Sequence, residues 1–234
     1  MQIDKKITSK RSQWEFDANV VKKFDNHVEK SVPFYNISHE IVSGLSEYFL
    51  KEKSVFYDIG CSTGTLIKKI YEKNKEKKIK FIGLDNSKPM IMRAKKNSKI
   101  KSIKFINTKL ENYKFEKCDM ITSLYTIQFL HPKYRQKLFD KIYQSLNWGG
   151  SFILYEKIRG DDARFQDLMT FLYYDFKAKN GLKPNEILNK EISLRSVLEP
   201  YSIKANMDFM KRAGFKDIMP ISQYLCFKGF LAIK

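Results

Sequence analysis

From residue 54 onward, short runs rich in β-branched and aromatic residues alternate with segments of helical period, and this restricts the fold more than any other feature of the chain. The runs are "SVFYDIG", "IKFIGLD", "IKFIN", "CDMITSLY" and "GSFILYEK"; the helical segments include "TLIKKIYEK", "KPMIMRAKKN" and "PKYRQKLFDKIYQSL". Near-continuous apolar strands separated by helices predict a doubly wound α/β domain, with a mostly parallel sheet covered on both faces. Ser87, followed by Lys88 and Pro89, is placed to cap a helix, and Gly149–Gly150 to end one and turn the chain into the next strand. Two segments stand outside the alternation. Residues 12–52 read as an N-terminal helical cap broken at Pro33, and residues 160–212 as a helical insertion before two last β runs, "GFKDIMPIS" and "YLCFKGFLAIK". The expectation is one domain over residues 1–234.

Composition narrows the class. Hydrophobic residues make up 43% and aromatic residues 14% of 234 positions, enough for a core that needs no staple. Cys61, Cys118 and Cys226 lie far apart with no C-x-x-C spacing, so no metal site is expected and a reduced, cytoplasmic compartment is. No leader-like apolar region opens the chain, and no run approaches the roughly 18 apolar residues of a membrane span. The net charge of +18 invites a polyanion, yet the cations are scattered and mostly Lys. Direct contact with tRNA is therefore not expected.

The stretch "YDIGCSTG" at residues 57–64 places Asp58, Gly60, Cys61, Ser62 and Gly64 where the first strand passes into a helix. Small side chains there let a ligand approach the backbone, although a tight turn alone also serves structure. Asp85, 25 residues after Gly60 and at the tip of the second strand, adds a carboxylate suited to the two hydroxyls of a ribose. Neither a Walker phosphate loop nor G-x-G-x-x-G is present. An acid two places before the first glycine instead resembles the first motif of class I S-adenosylmethionine-dependent methyltransferases. That resemblance implies a seven-stranded sheet with a reversed final hairpin, and S-adenosylmethionine as cofactor.

A closer resemblance runs through "WEFD" (14–17), "KSVPFY" (30–35), "YDIGCSTG", "LDNSKPMI", "IQFL", "RQKLFDKIYQSLNWGG", "DFKAKNG" and the ending "AGF…FLAIK". These words resemble the carboxy-S-adenosylmethionine synthases, which act on S-adenosylmethionine and prephenate for wobble-uridine modification of tRNA and form dimers. The resemblance implies Tyr35, Gly60, Cys61 and Ser62, and Asp85 and Asn86 as cofactor residues, and a homodimer. Three positions depart from the family pattern. Lys109, before Leu110, stands where an Asp would hold the adenine amino group; Leu124 replaces an Asn; and Glu191 aligns with the arginine that receives the added carboxylate, with Arg195 one turn later. A Glu repels the carboxylate that an Arg fork would bind. The main expectation is therefore methyl transfer to a small anionic metabolite, with carboxylation of the cofactor as the alternative.

No catalytic dyad is required for displacement at a sulfonium. Tyr35 and His131 are the candidates for a catalytic role; His131, before Pro132, equally suits a helix cap. His27 and His39 read as surface or packing residues, and Phe171, Tyr173, Tyr174 and Phe176 as either core or acceptor pocket.

Overall fold

The computed structural model describes residues 18–234; "WEFD" and the start of the expected cap at residue 12 lie outside them. Strands β1 (Val55–Ile59), β2 (Lys80–Asp85), β3 (Ile103–Asn107), β4 (Cys118–Leu124) and β5 (Leu146–Lys157) occupy the five predicted runs, and β6 (Asp217–Tyr224) and β7 (Phe227–Ile233) close the chain. They form one sheet in the order β3-β2-β1-β4-β5-β7-β6. The first five pair in parallel, while β7 runs antiparallel to both β5 and β6. The order reverses beside β1, so a crevice opens at the carboxyl ends of β1 and β4, where a doubly wound sheet takes its ligands.

Alternation along the strands feeds two cores. Phe56, Phe81, Met120 and Ile153 pack on one face with Ile67 and Ile70 of α3 (Thr65–Lys73), Ala94 of α4 (Lys88–Ser98) and Val42. Tyr57, Ile82, Ile121 and Phe152 pack on the other with Phe139 and Ile142 of α5 (Pro132–Ser145) and Met210. Ser87 caps α4 as expected, its hydroxyl accepting the Met90 N–H at 3.3 Å.

The Gly149–Gly150 pair does not end α5, which stops at Ser145; both glycines lie in the irregular first part of β5, where its register to β4 shifts. Gly149 has φ +75 and donates to the Lys234 carbonyl at 2.8 Å, and a Cβ on Gly150 would meet the Asn147 and Asp119 carbonyls at 2.9 and 3.0 Å. Gly149 thus supplies a left-handed turn, and Gly150 lets β5 pass close to its neighbours.

Helices roof the crevice from two sides. α1 (Ala18–Ser31) and α2 (Tyr35–Phe49) are separated at Pro33, with Phe34 left-handed at φ 56. His39 and His27, expected at the surface or in packing, are both buried; burial lowers His39 to about 4, and its ring lies 4.3 Å from that of Tyr35. Beyond β5 come α6 (Ala163–Lys179), α7 (Pro184–Leu194) and α8 (Ile203–Ala213). The two ends of this excursion are tied together: the Arg159 N–H donates to the Tyr201 carbonyl at 3.0 Å, and Arg159 pairs with Ser202 in a parallel bridge. None of the described helices is long and apolar enough to cross a membrane.

Candidate functional site

The turn after β1 spends its own N–H groups. Gly60 and Cys61 both donate to the Leu84 carbonyl, at 2.7 and 3.0 Å, Ser62 donates to Asp85 Oδ2 at 2.9 Å, and Gly64 donates to the Cys61 carbonyl at 2.9 Å. These four N–H groups are already engaged and do not form a nest of free donors for a phosphate. The turn is held tight by Gly60 at φ +74, where a Cβ would stand 2.0 Å from Thr126 Oγ1, and by Gly64 at φ +81 under Phe105 and Ala94. Cys61 turns its thiol into the core beside Gly83 and Phe105, and burial pushes that thiol up.

Two carboxylates face the crevice. Asp85 accepts from the backbone of Ser62 and of Ser87, at 2.9 and 2.8 Å, one on each oxygen. Each oxygen keeps a further lone pair, the arrangement a vicinal diol needs. Asp58 is 2% exposed; its Oδ1 accepts the Thr122 hydroxyl at 2.9 Å, while Oδ2 has no hydrogen-bond partner among the described residues. Burial, opposed by Thr122 and reinforced by the neighbouring Asp85, brings Asp58 up to about 7. An orphaned buried carboxylate oxygen beside a glycine turn suits an ammonium group. These residues therefore fit the amino-acid and ribose ends of S-adenosylmethionine.

The crevice deepens into a cavity of about 1740 Å³. Small-molecule sites commonly measure about 300–1,000 Å³, so a second reactant has room beside the cofactor. Tyr35, Asp58, Gly60, Cys61, Ser62, Asp85, Asn86, Leu110 and Leu124 all line it. Gly64 acts from beneath, through the turn. Lys109 is exposed and away from the lining, whereas Glu111 is on it. Burial, then Asp25 and Asp58, raise the Tyr35 phenol, which keeps its hydroxyl a donor and unsuited to serve as a base. His131 lines the mouth and caps α5, its Nδ1 accepting the Lys133 N–H at 3.3 Å.

Glu191 and Arg195 both reach the cavity, in different states. The carboxylate of Glu191 accepts the Tyr174 hydroxyl, joining α7 to α6. Arg195, the residue that ends α7, is exposed on the wall and has no hydrogen bond or ion pair among the described residues. The aromatic set divides: Tyr173 and Tyr174 line the cavity, Phe171 is 66% exposed, and Phe176 packs on Tyr224 at 6.1 Å.

Sequence reasoning missed the residues that shape the loop between β4 and α5. Glu156, 3% exposed on β5, accepts the N–H groups of Ile127 and Gln128 at 3.0 and 2.8 Å. Arg135, 2% exposed, donates to the carbonyls of Leu130, Glu199 and Gln128 at 2.8, 2.7 and 3.0 Å. Glu156 leaves one signal in the sequence, a charge at the end of the apolar run "FILYEK"; Arg135, among Lys133, Gln136 and Lys137, reads as an ordinary solvated helix residue. Burial lifts Glu156 to about 8, with Arg135 opposing.

Comparison with known proteins is consistent with this geometry. A family model described as "Methyltransferase domain" matches residues 56–150. The carboxy-S-adenosyl-L-methionine synthase of Staphylococcus epidermidis is 39% identical over 226 residues, covering 95% of this chain and 97% of the relative. That of Campylobacter lari is 37% identical over 224 residues, covering 95% of each. Among solved structures, a plantazolicin methyltransferase in complex with a triazolic desmethylPZN analog and SAH superposes with TM-score 0.66 at 16% identity, covering 93% of this chain and 94% of that one. A putative S-adenosyl-L-methionine-dependent methyltransferase of Methanococcus maripaludis gives TM-score 0.63 at 18% identity, covering 96% of each chain. At such identities the structural likeness shows the fold.

Proposed function

We propose, from the premise that this chain belongs to the carboxy-S-adenosyl-L-methionine synthase family of S-adenosylmethionine-dependent transferases, that it carboxylates the methyl carbon of its cofactor at the expense of prephenate. Methylation of a separate small metabolite, the main expectation from sequence, has weaker support than this alternative. It rested on Glu191 facing the incoming carboxylate, but Glu191 is engaged by Tyr174. The observation that carries the carboxylating reading is Arg195, a guanidinium on the cavity wall one turn beyond that has no partner among the described residues. Its fork can take a carboxylate through two charge-assisted hydrogen bonds.

When bound, S-adenosylmethionine supplies a methyl carbon made acidic by its sulfonium. Asp85 holds the ribose hydroxyls, and Asp58 Oδ2 takes the ammonium group. Glu111 offers the adenine amino group an acceptor, which Lys109, a donor only, does not. Prephenate would lose its ring carboxyl group as CO2 and its hydroxyl as the ring becomes aromatic, and the methyl carbon would give up one proton and bond to that CO2; the proton leaves with the hydroxide as water, phenylpyruvate departs, and the carboxyl group stays on the cofactor. The chain's part is to hold two reactants together in a dry cavity. Mass spectrometry of the sulfonium formed from S-adenosylmethionine and prephenate tests this. Carboxylated cofactor and equimolar phenylpyruvate are expected, falling about tenfold or more in Arg195→Gln. S-adenosylhomocysteine appearing with a methylated acceptor, and no phenylpyruvate, would overturn it. We also propose that two copies associate through the apolar outer face of α6, where Phe165, Leu168 and Leu172 are each more than half exposed at helical spacing.

A further inference from the structure

One wall of the cavity carries two lysines with no anion to answer them. Lys177, on α6, is 7% exposed, and its Nζ lies 4.0 Å from the centroid of the Tyr173 ring one turn earlier. Lys157, the last residue of β5, brings its own Nζ to 4.9 Å from the same ring. Among the described residues neither ammonium has a hydrogen bond or a carboxylate partner. The packing around them is apolar, with Tyr173, Cys226 and Phe227 buried against Val32, Tyr125, Met169 and Phe176. Burial, then the charge of Lys157, brings Lys177 down to about 7. Two cations around one ring in such surroundings repel each other, and a buried charge without a counter-charge is costly.

The lysines are held in place rather than adrift. The Lys157 backbone N–H donates to Gln128 Oε1 at 2.8 Å, and the Tyr173 hydroxyl donates to the Ser31 carbonyl at 2.7 Å, so the strand end and the ring are both anchored. Aromatic rings join this corner to the cofactor turn: Tyr173 to Phe227 at 5.2 Å, Phe227 to Tyr125 at 5.8 Å, and Tyr125 to Tyr35 at 6.2 Å. Lys157, Tyr173 and Lys177 line the same cavity as Asp58 and Asp85. An apolar wall ending in a pair of cations matches a ligand with an aromatic or dienyl ring at one end and a carboxylate at the other.

We propose that Lys157 and Lys177 form an anion subsite for the side-chain carboxylate of the carboxyl donor, the one the donor keeps, leaving the ring carboxylate to be lost near the cofactor. This inference rests on the carboxylating reading above. Phenylpyruvate, which retains that side-chain carboxylate, is the probe, titrated by calorimetry into protein saturated with S-adenosylmethionine. Lys177→Met and Lys157→Met preserve the apolar stems and remove the charges. Each is expected to weaken phenylpyruvate about tenfold or more and to raise KM for prephenate by a similar factor, with kcat less affected. Affinity for S-adenosylmethionine should stay within about twofold, which also reports intact folding. Unchanged phenylpyruvate affinity in both variants overturns the subsite. So does an equal loss for S-adenosylmethionine, since the pair would then serve the cofactor's own carboxylate. The two readings fail separately: wild-type protein that binds phenylpyruvate through the lysines but makes no carboxylated cofactor upholds the subsite and refutes the reaction. Carboxylated cofactor made by variants that bind phenylpyruvate normally does the reverse.

Discussion

Asp58 holds a proton up to about 7 because it is buried with one oxygen unpaired. A cofactor ammonium needs the ionised form, so binding below that pH must expel the proton. Affinity for S-adenosylmethionine is expected to fall about tenfold per pH unit as the pH drops below about 7, and to level off above it. Calorimetry across that range checks this; Asp58→Asn should abolish the slope and weaken binding roughly tenfold to a hundredfold. Gly60 offers a second test at the same scale. A methyl group there meets Thr126 at 2.0 Å on a left-handed backbone, whereas at Gly149 nothing lies within 4 Å. Gly60→Ala should cost about 2–4 kcal/mol in a denaturant titration and abolish cofactor binding, while Gly149→Ala costs only about 1–2 kcal/mol. Asp58, Gly60 and Asp85 were legible because their partners are local or sit at a fixed distance in a recurring strand-turn-helix unit. Lys177 was not: its meaning depends on Lys157 and Tyr173 meeting in space, and a lysine in a helical pattern reads as solvated.

The β4–α5 loop is an element made rigid from outside. Glu156 takes its N–H groups, Arg135 takes carbonyls from it and from Glu199, and Gln128 returns a carbonyl to the Lys157 N–H. Replacing Arg135 by Met strands the Leu130 and Glu199 carbonyls, leaves the Gln128 carbonyl to the Glu199 N–H alone, and removes the cation that opposes the effect of burial on Glu156. Unfolding free energy should fall by roughly 3–5 kcal/mol, read as a lower denaturant midpoint at unchanged slope. The strands and the helices between them were legible as elements from their periods. The breaks within the insertion were not drawn, although Gly181, Pro184 and Pro200 punctuate it; the helical segment read over 160–212 is three helices. The end of α5 was misplaced because Gly149–Gly150 served sheet packing instead of a helix stop.

At the scale of the molecule, the parallel sheet follows from alternation alone, but the antiparallel β7 between β5 and β6 came only through family likeness. Nothing in a strand's own composition states its direction. The outer face of α6 bears on assembly: Phe165, Leu168 and Leu172 are exposed by 53%, 56% and 52%. Sedimentation equilibrium should return twice the 27.7 kDa chain mass, and Leu168→Glu should return a single copy; a wild-type monomer would refute the association. The bridge between Arg159 and Ser202 carries a last implication. Because departure and return meet there, the forty-odd residues between them form a cassette closed at its base and steadied by the bonds of Tyr173 to Ser31 and of Glu199 to Gln128 and Arg135. Substitutions, insertions or an exchanged cassette from a relative would change which donor is admitted without disturbing the strands behind it, leaving specificity free to drift while the cofactor seat stays fixed.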